Sequence, residues 1–305
     1  MAAAETNTSG SIGTPVFILG IMPRCGTNFL ANLLFLHPDC EPPNPVWEDF
    51  LISHLDQLRA YSKAVAARWD EDWGVDSQSR ALLEHALGSG IRRFLQDLAP
   101  GKRAVSKTPS VNNLHLFFRF FPAARLVLLV RDGRSIVESG AQTFGWSADA
   151  ASRSVNEAAQ TIRDFEQNFA HQKAQYRVVR YEDLWKNTES EIRQLLAFLQ
   201  LDPDLYDFSQ AENLPVRGSS ELSGQHGKSV HWDPVEQTGS FDPLSRFSHW
   251  TRSQHFHYNH IAGASMQHFG YQPADVQDSL GFLTLVSRIR AIAWRIKRIV
   301  KPAGR

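Results

Sequence analysis

The sequence predicts an α/β fold with a central, mostly parallel sheet flanked by helices. Short apolar runs alternate with longer segments of helical periodicity, the pattern that βαβ units write into a chain. The best of these runs, Arg125–Val130, is continuously apolar after its arginine, as a strand buried on both faces requires. The first run, Val16–Gly20, leads through a glycine-containing turn directly into a helical stretch.

Each element follows from its local pattern. Val16–Gly20 is a buried strand, residues 21–26 form a turn, and Thr27–Leu36 has helical apolar spacing that stops at His37-Pro38. Residues 39–49, rich in proline and acid, read as a loop. Residues 50–67 and 77–98 carry helical patterns. Arg103–Ser106 predicts a second strand running into Lys107-Thr108-Pro109, and residues 111–120 another helix. After Arg125–Val130 a helix is expected from about Arg134, then an amphipathic helix over 148–172 and a strand over Tyr176–Tyr181. Thr188 and Glu191, three apart, give a capping signal for a helix ending near Gln200. Residues 202–247 are a long irregular stretch rich in Gly, Ser, Pro and His, the kind of segment that is usually functional. A helix near 248–269 ends at Gly270, and no internal repeat is present.

Composition narrows the class. The 305 residues hold 32 basic and 32 acidic side chains, with 42% hydrophobic residues. That excludes a disordered chain, a collagen-like chain and a disulfide scaffold, and it argues against a general nucleic-acid coat. The neutrality is uneven. Residues 281–305 contain seven basic residues and no acid, which leaves the other 280 at about −7. Two cysteines, Cys25 and Cys40, favour a reducing compartment. Residues 1–14 lack the basic and apolar regions of a secretory signal and read as a disordered lead. No apolar run approaches the roughly 18 residues of a membrane span. A soluble cytoplasmic protein is the expectation.

The first strand–turn–helix unit reads Gly20-Ile21-Met22-Pro23-Arg24-Cys25-Gly26-Thr27-Asn28. A turn entering a helix presents unpaired backbone N–H groups and the positive helix end, which together bind anions. Gly26 permits close approach, Arg24 adds a forked cation, and Thr27 and Asn28 add side-chain donors. The nucleotide-hydrolase motif has a lysine before its Ser/Thr, whereas here Gly26 precedes Thr27. This points to a shorter phosphate chain without a metal. The alternative is an ordinary strand–turn–helix. Further on, Arg131-Asp132-Gly133-Arg134-Ser135 follows the best strand, with Ser139 eight residues after Arg131. Such a strand end is where open α/β sheets bind ligands. The competing reading is a surface ion pair between Arg131 and an acid.

Taken together, these segments resemble the PAPS-dependent sulfotransferase family, PAPS being 3′-phosphoadenosine 5′-phosphosulfate. Pro23-Arg24-Cys25-Gly26-Thr27 is similar to its 5′-phosphosulfate loop, and Val130–Arg134 with Ser139 to its 3′-phosphate segment. Ser106-Lys107-Thr108-Pro109 looks like a segment of the tyrosylprotein and bacterial branches. Arg180-Tyr181-Glu182-Asp183-Leu184 and Arg217-Gly218-Ser219-Ser220 also match family segments, the latter a loop that closes over the cofactor. The order agrees from about residue 15 to 272. Cys25 and Asn28 depart from the usual hydroxyl residues.

The resemblance implies a three-layer P-loop-like domain over 15–272. Its reaction would be sulfuryl transfer from PAPS to a hydroxyl or amine acceptor, leaving PAP, with no metal. It implies Arg24, Cys25, Gly26, Thr27 and Asn28 at the 5′-phosphosulfate, and Arg131, Ser139, Arg217, Gly218 and Ser219 around the 3′-phosphate. Tyr181 would lie near the adenine, or pack in the core. Glu48 is the candidate base, with Asp49, Glu41 or a histidine as rivals, and Lys107 would stabilise the leaving phosphate. The acceptor could be a sugar, a lipid-linked group, a natural product or a peptide. A nucleotide or small-molecule kinase, or a non-catalytic nucleotide-binding protein, are the alternatives. The histidine-dense run 255–260 reads as a helix surface or acceptor-site edge rather than a metal site. Within 273–305, a basic amphipathic helix from Phe282 onward would dock on the body or a partner, or bind an anionic membrane surface.

Overall fold

The computed structural model describes residues 13–73, 75–211, 214, 244–276 and 281. Arg217, Gly218 and Ser219, and the whole basic C-terminal helix from Phe282 onward, lie outside the described residues. Five strands form one sheet: β1 (Val16–Gly20), β2 (Cys40–Glu41), β3 (Arg103–Thr108), β4 (Leu126–Val130) and β5 (Tyr176–Arg180). Their order is β2-β3-β1-β4-β5 and every pairing is parallel. Helices α1 (Thr27–Leu34), α2 (Leu55–Ala66), α3 (Ser77–Asp97) and α4 (Phe117–Phe120) accompany the first half. The second half carries α5 (Gly133–Phe144), α6 (Ala148–Asn168), α7 (Tyr181–Lys186), α8 (Thr188–Leu199), α9 (Phe208–Ala211), α10 (Arg252–Tyr258) and α11 (Ala264–Gln267). This is the α/β architecture that the alternating pattern predicts, in the P-loop-like form that the resemblance implies.

Every residue of β1, β3 and β4 is buried, as expected of central parallel strands covered on both faces. Phe17 of β1 packs edge-on to Phe117 and against Phe121, while Phe165 of α6 meets Phe118, Phe169 and Tyr176. The register then places the site. Leu19 pairs with Thr108, and Gly20 pairs with Leu129. The carboxyl ends of β3, β1 and β4 therefore lie side by side, and the segments leaving them emerge together. Among the described residues, no helix is long and apolar enough to cross a membrane.

Several elements differ from expectation, each for a physical reason. β2 falls inside the expected 39–49 loop; two residues carry no periodicity, and only pairing of Cys40 with Arg103 makes them a strand. β3 extends to Thr108 because Lys107 and Thr108 pair with Ile18 and Leu19, so Lys107 lies on the strand. Thr188 is the first residue of α8, not its cap. Its hydroxyl donates to Leu184 O at 2.7 Å, tying α8 to α7. The 148–172 helix stops at Asn168 and continues as a 3-10 segment. The 248–269 helix starts at Arg252 behind a Thr251/Gln254 capping box and passes through a π-turn at Asn259–Gly263.

The α3–α4 contact gives a direct test of packing. A Cβ at Gly88, in the interior of α3, would lie 2.0 Å from the backbone oxygen of Phe120. Gly88→Ala should lower stability by about 1–3 kcal/mol through overpacking, despite alanine's better helix propensity. Urea denaturation would read this directly; a neutral or stabilising result would mean that the two helices separate freely.

Candidate active site

The turn between β1 and α1 is shaped by two left-handed residues. Gly26, at the N-cap of α1, has φ 103°, and Arg24 has φ 76°. Glycine is required at 26 for a second reason: a Cβ there would lie 2.4 Å from the ring of Tyr181. No side chain caps α1, so its first-turn amides remain oriented for an external acceptor. Thr27 is buried at the first helical position and Asn28 is half-buried beside it. Cys25 is fully buried, and burial pushes its thiol up to about 11. A hydroxyl at this position would sit inside the fold, so Cys25 serves the turn through its backbone and packing.

Arginines from three segments meet at this turn. Ser139 Oγ on α5 accepts from Arg24 Nε at 3.0 Å and from Arg246 Nη1 at 3.2 Å. Arg131, just past β4, donates from Nη1 to the Arg24 carbonyl at 3.0 Å, and its guanidinium lies 4.3 Å from the Tyr181 ring centroid. Ser139, Arg131 and Arg246 are all buried. Burial, then repulsion from Arg246 and Arg131, lowers the Arg24 guanidinium to about 10. Desolvated like charges crowded onto one hydroxyl are costly, and a polyanion offsets that cost through charge-assisted hydrogen bonds.

The neighbouring groups keep this cluster in place. Asp132 caps α5 through the Arg134 N–H at 2.9 Å and pairs with the Arg134 guanidinium at 3.0 and 2.6 Å. The two nearby arginines are thereby separated: Arg134 is held by Asp132, whereas Arg131 faces the turn. Glu182 accepts from the Asp132 N–H at 2.9 Å and from the Tyr271 hydroxyl. Tyr181 is buried against Gly26 and packs with Phe29 at 5.6 Å and Trp185 at 6.4 Å. Of the two roles raised from sequence, these contacts describe packing. Phe29, which packs on Tyr181, is half-buried, and the exposed Phe144 ring lies 5.7 Å from the Arg24 guanidinium.

The second half of the site lies at the end of β3. Lys107 Nζ is 3.1 Å from Glu48 Oε1; the lysine side chain is 5% exposed and the glutamate 29%. Burial lowers the Lys107 ammonium, and Glu48 opposes that shift. Glu48 also acts on the charge of Arg24, which links the two halves electrostatically. Asp49 is spoken for by three donors from Ser106, Thr108 and the Leu51 N–H. Glu41 sits on edge strand β2, 3.8 Å from Lys102. Among the histidines, His37 Nε2 contacts Asp202 O at 2.9 Å, while His257 and His268 pair with Asp149 and Glu166 at 2.8 Å. Among the described residues no group of His, Cys, Asp and Glu is placed to hold a metal ion.

Arg246 was not among the residues singled out from sequence. It stands at the end of the long irregular stretch, 107 positions from Ser139, with no motif around it. Only the fold brings it to α5.

Comparison with known proteins gives the class. The model described as "Sulfotransferase family" matches residues 15–204, and the chain belongs to that family. Protein-tyrosine sulfotransferase 1 of Homo sapiens is 28% identical over 131 residues, 41% of this chain and 33% of that protein. Protein-tyrosine sulfotransferase A of Caenorhabditis elegans is 23% identical over 212 residues, 63% of this chain and 51% of that protein. The chain thus spans a third to a half of the length of these relatives. Among solved structures, the sulfotransferase domain from the curacin biosynthetic pathway aligns over 93% of this chain and 99% of that one, with 19% identity and a TM-score of 0.45.

The arginine cluster should respond to simple anions. Replacing chloride by phosphate at constant ionic strength should raise the thermal midpoint, by about 2–4 °C for each kcal/mol of binding free energy. Scanning fluorimetry would show this in the wild type and a smaller rise in Arg246→Ala. Equal responses would remove Arg246 from the anion site.

Proposed function

We propose that this chain transfers a sulfuryl group from PAPS to a hydroxyl or amine acceptor by in-line displacement. The observation that carries the reading is the pairing of two charge arrangements at adjacent strand ends: the Arg24–Arg131–Arg246 cluster, in which Arg24 and Arg246 bind Ser139 and Arg131 binds the Arg24 carbonyl, and the Lys107–Glu48 pair. Three clustered guanidiniums, those of Arg131 and Arg246 buried, suit a ligand with more than one phosphate-like group.

PAPS, when bound, supplies the sulfuryl group on a phosphate leaving group. The first-turn amides of α1, with Arg24, Gly26, Thr27 and Asn28, would hold its 5′ end. Arg131, Ser139 and Arg246 would hold the 3′-phosphate, joined by Arg217, Gly218 and Ser219 if the family resemblance extends to them. Phe29 offers a ring for stacking the base. Glu48 accepts the acceptor's proton; it is the partly exposed acid that stands beside Lys107, whereas Asp49 is held by three donors and Glu41 lies by Lys102 on the edge strand. Lys107 pairs with Glu48 at rest and offers its charge to the leaving oxygen as that oxygen becomes negative. By analogy with phosphoryl transfer, positioning and charge stabilisation dominate such a reaction.

The exposed rings of Trp47 and Phe50 flank Glu48 and Asp49 in the chain and suit an acceptor hydroxyl carried on an apolar or aromatic body. Both cysteines are free, in keeping with a reducing, cytoplasmic setting.

Transfer of label from PAPS to a fractionated extract, with mass spectrometry of the product, tests the activity and identifies the acceptor. PAP binding without any transfer would instead favour a non-catalytic nucleotide-binding role. Glu48→Gln should lower turnover about 10²–10⁴-fold while PAP affinity holds; full activity would move the base elsewhere. Arg131→Ala should weaken PAP binding by about 1.5–3 kcal/mol in calorimetry through lost charged hydrogen bonds. Unchanged affinity would sink its assignment to the 3′-phosphate.

A further inference from the structure

We propose that Asp49 is a positioning residue, whose carboxylate clamps the 48–50 segment to β3 and thereby holds Glu48 against Lys107. The inference rests on the reading of Glu48 and Lys107 as reaction groups. Asp49 Oδ2 accepts from Ser106 Oγ at 2.7 Å, and Oδ1 accepts from Thr108 Oγ1 at 3.2 Å and from the Leu51 N–H at 3.1 Å. Ser106 and Thr108 are two residues apart on one strand and so share a face; both are buried. Lys107 lies between them. One carboxylate therefore spans two positions of β3, and the residue before it meets the lysine between those positions. Sliding the segment by one residue would break both hydroxyl contacts and carry Glu48 away from Lys107.

Two further observations indicate that this arrangement serves more than packing. Burial raises the Asp49 carboxyl, a shift opposed by its three donors and by Lys107. A desolvated carboxylate that accepts from three donors is a directed clamp rather than an apolar packing contact. Phe50, the next residue, is held at φ 52°, a left-handed conformation unfavourable for a bulky side chain. The segment is thus constrained on the residues immediately after Glu48. The charged groups facing the pair are Asp49 beside Lys107, from the same segment, and Arg24 facing Glu48 from the β1–α1 turn.

The clamp can be tested without knowing the acceptor. In protein labelled at lysine Cε with ¹³C, the Lys107 signal, assigned through Lys107→Arg, reports its titration. Glu48→Gln should lower the Lys107 pKa by about one unit or more, since an opposite charge within hydrogen-bond reach is lost. In a Ser106→Ala/Thr108→Val background, the same Glu48 substitution should have less than half that effect, because the carboxylate is no longer held there. A full-size effect in the loosened background overturns the proposal. Asp49→Ala, which removes all three acceptor contacts, supplies a second arm in the transfer assay. It should lower kcat roughly tenfold or more with PAP affinity unchanged, whereas wild-type kcat, or parallel loss of kcat and PAP affinity, overturns the positioning role. Full activity of Glu48→Gln would instead overturn the assignment of the base, an outcome separate from the NMR result.

Discussion

Mutual repulsion among buried guanidinium groups is the constraint around which this fold is arranged. Arg24 and Arg246 reach one serine, and Arg131 reaches the Arg24 carbonyl, from three separate segments that no single element could supply. The scaffold answers with partners of low conformational freedom. Ser139 sits on a helix turn, the Arg24 carbonyl belongs to a left-handed turn residue, and the Tyr181 ring lies under the Arg131 guanidinium. Glu182 then fixes the backbone at Asp132 from β5's side of the sheet. Fixed cations are what electrostatic stabilisation needs, because charges that need not reorganise cost nothing at the moment of reaction.

The acidic half works by the opposite logic. Glu48 and Asp49 are adjacent in sequence but occupy different environments: one stands beside an ammonium, the other is held by two hydroxyls. Such a division gives two neighbouring carboxylates separate roles through environment alone. Both depend on β3 reaching Thr108. Had the strand ended at Ser106, neither Lys107 nor Thr108 would be pinned by pairing with β1.

Much of this was legible in the sequence because it is local. Val16–Gly20 and the four-residue apolar run after Leu126 are strands by composition, and the Arg24–Gly26 turn announces itself by its glycine and its following helix. The Arg131-to-Ser139 spacing is likewise local, two helical turns at the exit of a strand. What could not be read was long-range. β2 exists only through its partner, and Lys107's place on β3 depends on β1. Arg246 joins the cluster through packing of the last described helices against α5 and α6, which leaves no trace around it in the chain. Tyr181 suits the adenine or the core by sequence alone, and its contact with Gly26 arises only from the fold.

That contact between Gly26 and Tyr181 joins two parts of the chain that are 155 positions apart into a single unit of variation. The ring fills the space where any larger residue at 26 would project, and it also carries the arginine that braces the turn. Neither position is free to change by itself: a bulkier residue 26 demands a smaller residue 181, and a smaller residue 181 withdraws the surface under Arg131. Attempts to redesign the turn for a different anion would therefore have to rebuild the junction of β5 and α7 at the same time.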